Sequence, residues 1–141
     1  MLATTDVLIT NMRGKALQKL KCDYETLSAI KPGLIFAMLT AHGLEGPDVD
    51  LPGYDIGAFW ARTGLQELSG STRDELANYP GGNGDHTTAI SLLGATLGAL
   101  FHKERTGEGQ MVRFQGNISM ILRDCRCFSV HFGRIFGEWR R

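Results

Sequence analysis

The chain has 141 residues, with 43% hydrophobic and 21% charged content, which suits one ordinary globular domain and excludes disordered, collagenous and coiled-coil classes. Fifteen basic residues balance fifteen acidic ones, so no overall field gathers nucleic acid or anionic lipid, and any anion site is local. Three cysteines cannot form a fully paired disulfide framework, no apolar signal opens the chain, and no apolar run approaches the roughly 20 residues of a membrane span; the expectation is a cytoplasmic protein without nucleic-acid or membrane partners.

Residues 6–10, DVLIT, form a short β-branched apolar run without alternation, which predicts a strand buried on both faces of a parallel sheet, with Asn11 at its C-terminal end. After a loop at Met12, Arg13 and Gly14, Asp23 is placed to cap a helix through YETLSAI, and Lys31-Pro32-Gly33 stops that helix before a second strand, LIFAMLT. Such a strand–helix–strand unit crosses over right-handedly, and its ligands gather at the C-terminal strand ends, near Asn11 and Thr40. Residues 42–54 carry two prolines, three glycines and three acids, and predict a loop. A helix is expected over DIGAFWARTGLQEL, then a second Gly/Pro-marked loop from Ser69 to Gly84, then a long helix.

In the long helix, Ala89, Leu93, Leu97, Leu100 and Phe101 recur at steps of three and four and predict the core stripe. Gly94 and Gly98 each cost about 1 kcal/mol relative to Ala in a helix interior, which predicts close packing of another backbone there. Gly107 is the expected C-terminal stop, with Lys103 and Arg105 complementing the helix dipole. From Arg113 the character changes: six arginines, no lysine and two acids, without period or caps. Residues 113–141 read either as a basic surface helix or as a frame-shifted or misassembled end. Cys125 and Cys127 in that stretch, with His131 nearby, lack a second ligand pair and read as ordinary thiols rather than a metal site.

The stretch NYPGGNGDHTTAISLL sets one carboxylate, Asp85, between a glycine turn and the long helix. Spacing alone leaves three roles open. Asp85 can cap the helix. The turn can cradle phosphate, although the third glycine of a dinucleotide fingerprint falls at Thr87 and no Walker lysine follows. Or Asp85 can be a nucleophile reached over glycines that present no Cβ, where helix-end amides favour negative charge. His86 reads as a surface residue at the helix start, and Phe59 and Trp60 as helix core rather than an acyl pocket.

The segments VLITNMRGKALQKL, DYETLSAIKPGLIFAMLTAHGLEGP, LPGYDIGAFWARTG and GDHTTAISLLGATLGALFHKERTGEGQMV, in this order and at this spacing, resemble the middle of the family III CoA-transferases, the formyl-CoA and carnitine CoA-transferase family. The resemblance implies an α/β fold with a partial Rossmann-like parallel sheet and flanking helices, residues 1–112 being a fragment of the large domain. It implies that Asp85 is the catalytic nucleophile, that Tyr54 and Asp55 lie beside it in the substrate site, and that Asn11, Met12 and Lys19 line the coenzyme A site. It further implies an aspartyl anhydride and an aspartyl-CoA thioester as intermediates, coenzyme A as co-substrate with no permanent cofactor or metal, acyl-CoA and carboxylic acid substrates, and an interlinked homodimer. Within the family the glycine turn and YDIGAFWARTG are most similar to transferases of amino-acid fermentation acting on 2-hydroxy acids such as phenyllactate and 2-hydroxyisocaproate. Related acyl-CoA racemases carry histidine before the acid; Tyr54 is not such a base, since the tyrosine reference pKa is about 10. A racemase of the same fold and a non-catalytic module that binds CoA are the alternatives. Family members are far longer, so the 141-residue polypeptide alone is expected to be inactive and aggregation-prone.

Overall fold

A computed structural model describes residues 2–68 and 81–115. Three strands, β1 (Val7–Thr10), β2 (Ile35–Thr40) and β3 (Gln110–Gln115), form one parallel sheet in that order. Helices α1 (Gly14–Lys19) and α2 (Tyr24–Ile30) connect β1 to β2. A π-helix (Asp55–Ala61), α3 (Leu65–Leu68) and the 24-residue α4 (Asn83–Thr106) lead to β3. This is the expected α/β class, a parallel sheet with flanking helices.

Side chains alternate across a strand, so β2 serves two layers at once. Leu34, Phe36 and Met38 pack with Leu17 of α1 and Leu27 of α2, and Tyr24 meets Phe36 edge-on at 5.9 Å between ring centroids. The other face of the sheet lies under α4, where Ile9 and Leu39 share a cleft with Leu92 and Thr96. Asp23 caps α2 as expected, its Oδ1 accepting the Thr26 amide at 3.0 Å. Two hydrogen bonds from the Thr26 hydroxyl also reach that carboxylate, and these bonds hold the Asp23 carboxyl below the usual carboxylate range.

Several expectations are corrected. Among the described residues the first strand is an edge strand and is not buried on both faces, Ile9 being 66% exposed. The loop expected at Met12, Arg13 and Gly14 is one residue shorter, since Gly14 already begins α1, a helix not foreseen as a separate element, with Leu17 buried as its anchor. The single helix expected over residues 55–68 is a π-helix and a short α-helix separated by a turn at Gly64, whose φ of +77° only glycine adopts readily. The core face of α4 is not the leucine stripe: Thr88, Leu92, Thr96 and Ala99 are buried, while Leu93, Leu97 and Phe101 are exposed, Leu93 at 58%. The reason is a close approach. Threonine and alanine let α4 sit near the sheet, and the buried hydroxyls of Thr88 and Thr96 donate to the carbonyls of Gly84 and Leu92 one turn back, at 2.6 and 2.8 Å. Gly94 and Gly98 have no such neighbour: among the described residues, nothing lies within 4 Å of a Cβ built at either. The C-terminal expectation holds, with Gly107 left-handed at φ +78° and its amide donating to Lys103. Strand β3 runs three residues past Val112, pairing Arg113, Phe114 and Gln115 with Met38, Leu39 and Thr40. The remainder of the expected basic tail, with Cys125, Cys127 and His131, lies outside the described residues, as does most of the loop from Ser69.

Candidate active site

The C-terminal ends of β1 and β2, the loop after β2, the π-helix and the first turn of α4 surround one open groove of about 320 Å³. Parallel strands point their carbonyl ends the same way, so residues far apart in sequence converge at that rim. Asn11, Met12, Tyr54, Asp55 and Asp85 all line the groove, as does Thr40. Lys19 does not; it is exposed in the last turn of α1. Gly84 of the glycine turn lines the groove as well, and so do Arg13 and Thr88, which the sequence alone did not single out as site residues. Arg13 lies three residues past the end of β1, at the N-cap of α1, and that nearness to a strand end was the available signal.

Asp85 does not cap α4. The N-cap position belongs to Gly82, left-handed at φ +89°, so the helix begins at Asn83 and Asp85 is its third residue. The Asp85 side chain is exposed, and among the described residues its carboxylate receives no hydrogen bond. Two amides at this helix end point instead at a carboxylate from another segment. Asp55 Oδ1 accepts the Asp85 amide at 2.9 Å, and Oδ2 accepts the Gly82 amide at 3.3 Å and the Trp60 indole N–H at 3.1 Å. The expected favouring of the Asp85 charge by those helix-end amides is therefore shared with Asp55, which sits where a capping side chain would.

This contact depends on a missing atom. A Cβ at Gly84 would lie 2.3 Å from Asp55 Oδ1 and 2.4 Å from Phe59 Cγ, distances no real Cβ tolerates. Phe59 and Ala58 are buried by the same approach of the π-helix to α4, and Phe59 meets Trp60 edge-on at 5.6 Å between centroids. Core packing is thus the use of Phe59, which also touches the groove. A π-helix widens the backbone by one residue per turn and recurs at functional sites; here it turns Asp55 toward α4 while Tyr54, immediately before it, stays 78% exposed at the rim. His86 is exposed in the first turns of α4, as its sequence position implied.

The loop after β2 is tied down at both sides of the groove. Lys15 of α1 pairs with Asp50, and Arg62 after the π-helix pairs with Asp48. Exposed ion pairs contribute little stability, about 0–1 kcal/mol, so their effect is on where the loop rests. Among the described residues no helix is long and apolar enough to cross a membrane.

The sequence profile described as CoA-transferase family III matches residues 1–123. A cinnamoyl-CoA:phenyllactate CoA-transferase of Clostridium sporogenes is 44% identical over 112 residues, 79% of this chain and 27% of that protein. An (R)-2-hydroxy-4-methylpentanoate CoA-transferase of Clostridioides difficile is 36% identical, again over 79% of this chain, and 28% of its own length is covered. A succinate–glutarate CoA-transferase of Agrobacterium fabrum is 33% identical over 77% of the chain and 27% of its own length. The crystal structure of a CAIB/BAIF family protein from Brucella suis superposes with a TM-score of 0.76 at 30% identity, covering 94% of this chain and 35% of that one. The chain thus spans about a quarter of the length of these curated relatives.

Proposed function

Because the chain belongs to CoA-transferase family III, with 123 of its residues matched, we propose that residues 1–112 are part of the large domain of an enzyme that moves CoA from an acyl-CoA to a carboxylic acid, with Asp85 as nucleophile. The observation that carries this reading is the placement of Asp85: an exposed carboxylate in the first turn of α4, on the wall of the groove at the strand ends. A carboxylate there can reach an acyl ligand, and the flanking Gly82 and Gly84 add no side chains in its way.

The chemistry balances without oxidant, metal or water. An Asp85 carboxylate oxygen attacks the donor thioester carbonyl; the C–S bond breaks, and CoA thiolate leaves a mixed anhydride. The thiolate then attacks the aspartyl carbonyl carbon, expels the donor acid as its carboxylate and leaves an aspartyl-CoA thioester. The acceptor carboxylate attacks that thioester and again releases the thiolate. Attack of the thiolate on the acyl carbonyl of this second anhydride forms the new acyl-CoA and returns the Asp85 carboxylate. Thioester energy is conserved so long as water is kept away from both anhydrides.

Coenzyme A is a co-substrate in this reading, with Asn11 and Met12 on its side of the groove and Lys19 available to a phosphate only at its periphery. Tyr54, exposed at the rim, would face the acyl part. The acceptor we infer is a 2-hydroxy acid, because identity to the phenyllactate and 2-hydroxy-4-methylpentanoate enzymes, 44% and 36%, exceeds that to the succinate–glutarate enzyme at 33%. A cytoplasmic homodimer completes the proposal. The test is to incubate the complete gene product with an acyl-CoA, trap with hydroxylamine and map the adduct by mass spectrometry. A hydroxamate at Asp85 that is absent from Asp85→Asn supports the reading; an unmodified Asp85 during measurable turnover overturns it. If no turnover or adduct forms with any acyl-CoA, the CoA-binding module is the better description.

A further inference from the structure

We infer that Asp55 is the positioning residue of Asp85, a carboxylate that closes the N-terminal turn of α4 from outside the helix and thereby fixes where the nucleophile stands. The inference rests on the reading of Asp85 as nucleophile, but its geometry stands apart from that reading. A helix start leaves amide N–H groups without partners inside the helix, and a residue at the N-cap ordinarily supplies one acceptor. Here the N-cap is Gly82, which has no side chain to offer. Asp55 supplies both carboxylate oxygens instead: one to the amide of Asp85 itself, one to the amide of Gly82.

Three further features show that the arrangement is built rather than incidental. The indole N–H of Trp60 donates to the same Oδ2 that receives Gly82, which fixes the rotation of the carboxylate. The π-helical winding sets Asp55 and Trp60 five residues apart on one turn, so both point at one place. And Gly84 is the residue whose Cβ would collide with Asp55 Oδ1, so the close approach of the π-helix to α4 is written into a glycine. A carboxylate bound in this way has three of its about four lone-pair sites occupied by protein donors. It is therefore poorly placed to accept a hydrogen bond from a substrate, and well placed to hold the Asp85 backbone against the recoil of bond formation and cleavage at its side chain. An error of about 1 Å in such a position is enough to cost about a hundredfold in rate.

The test uses the complete gene product and two independent readouts. In Asp55→Ala, hydrogen exchange resolved to single residues should show the amides of Asp85 and Gly82 losing about tenfold or more of their protection while the Ala99 amide in the same helix is unchanged. In the same variant kcat should fall about a hundredfold with KM within about twofold. Asp55→Asn keeps one accepting oxygen and turns an N–H₂ toward the remaining donors, so it should recover part of both losses. Trp60→Phe, which removes the orienting donor while keeping an aromatic ring beside Phe59, should lower kcat about fivefold. The inference is overturned if exchange at Asp85 and Gly82 does not respond, or if KM rises while kcat holds, which is the mark of a residue that binds substrate. Should Asp55→Ala fail to fold, Asp55→Asn and Trp60→Phe are read by the same criteria. The exchange readout does not involve CoA transfer, so a failure of Asp85 as nucleophile, seen as retained turnover in Asp85→Asn, is separable from a failure of Asp55 to position it.

Discussion

The two ends of α4 solve the same problem in different ways. At the C-terminus the solution is local: Gly107 turns left-handed, its amide returns to the Lys103 carbonyl, and Lys103 and Arg105 sit where the dipole favours cations. At the N-terminus Gly82 turns the chain with no capping side chain of its own, and the amides are satisfied by Asp55, 30 residues earlier than Asp85. A locally closed end needs nothing from the rest of the protein. An end closed from outside ties the orientation of one segment to another, which is what the proposed nucleophile would require and a structural terminus does not.

Substitutions at the two ends should therefore separate catalysis from stability. The largest effect is expected for Asp85→Ala: transfer falls by on the order of 10⁴-fold or more and the hydroxylamine adduct disappears, while the denaturation midpoint hardly moves, because the side chain is exposed. Retained turnover would remove the contrast altogether. Gly84→Ala comes next, since its Cβ would displace Asp55 and Phe59; we expect about 1–3 kcal/mol of destabilisation in urea unfolding together with loss of transfer. At the opposite end, Gly107→Ala should cost about 1–2 kcal/mol through its left-handed φ and leave kcat within twofold. If Gly107→Ala impaired kcat as strongly as Gly84→Ala, the distinction between the ends would fail.

The smallest effect concerns pH and the C-terminal end. Lys103 reaches Asp6 ahead of β1 at 2.8 Å, and this hydrogen bond, then the charges of Lys103 and Lys31, hold the Asp6 carboxyl below its ordinary value of 3.8. A carboxylate lowered on folding contributes stability that is fully present above the unfolded value and is lost as pH falls through the lower folded one. Unfolding midpoints of the wild type and Asp6→Asn should hence differ modestly at pH 6 and draw together as pH falls below 3.8 and through the lower folded value, whereas Asp55→Asn should alter kcat at pH 6 regardless of such convergence.

What could be read without coordinates was whatever a short window of residues decides. The strands at 7–10 and 35–40, the Asp23 cap and the Gly107 stop each depend on neighbours within a few positions, and each is found. Of the candidate site residues, Asn11 and Asp85 carried local marks, a strand end and a glycine turn, whereas Met12, Lys19, Tyr54 and Asp55 were named through the family resemblance; all but Lys19 line the groove. The site was not legible in its wiring. That Asp55 serves Asp85 and Gly82 depends on a tertiary contact made possible by the absence of one Cβ, and no spacing rule encodes it. The face of α4 was misjudged for a related reason. Periodicity ranks residues by hydrophobicity, but how near a helix lies to a sheet is set by size, and Thr88, Thr96 and Ala99 are the small residues.

The parallel pairing also bears on how the chain is made. Ile35 of the central strand pairs with Gln110, and every residue of β2 through Thr40 waits on β3 up to Gln115, which is a second partner for Ile35 through Met38 and the first in the sheet for Leu39 and Thr40. Contacts this distant in sequence make folding slow, since loop closure precedes any reward. During synthesis β2 emerges after α1 and α2, which cover Phe36 and Met38, but long before α4 and β3, which cover its other face and its free edge. Translation pauses between codons 40 and 110 would thus prolong a state with an open strand edge, and folding yield should depend on chaperone supply during that interval more than on the final stability of the sheet.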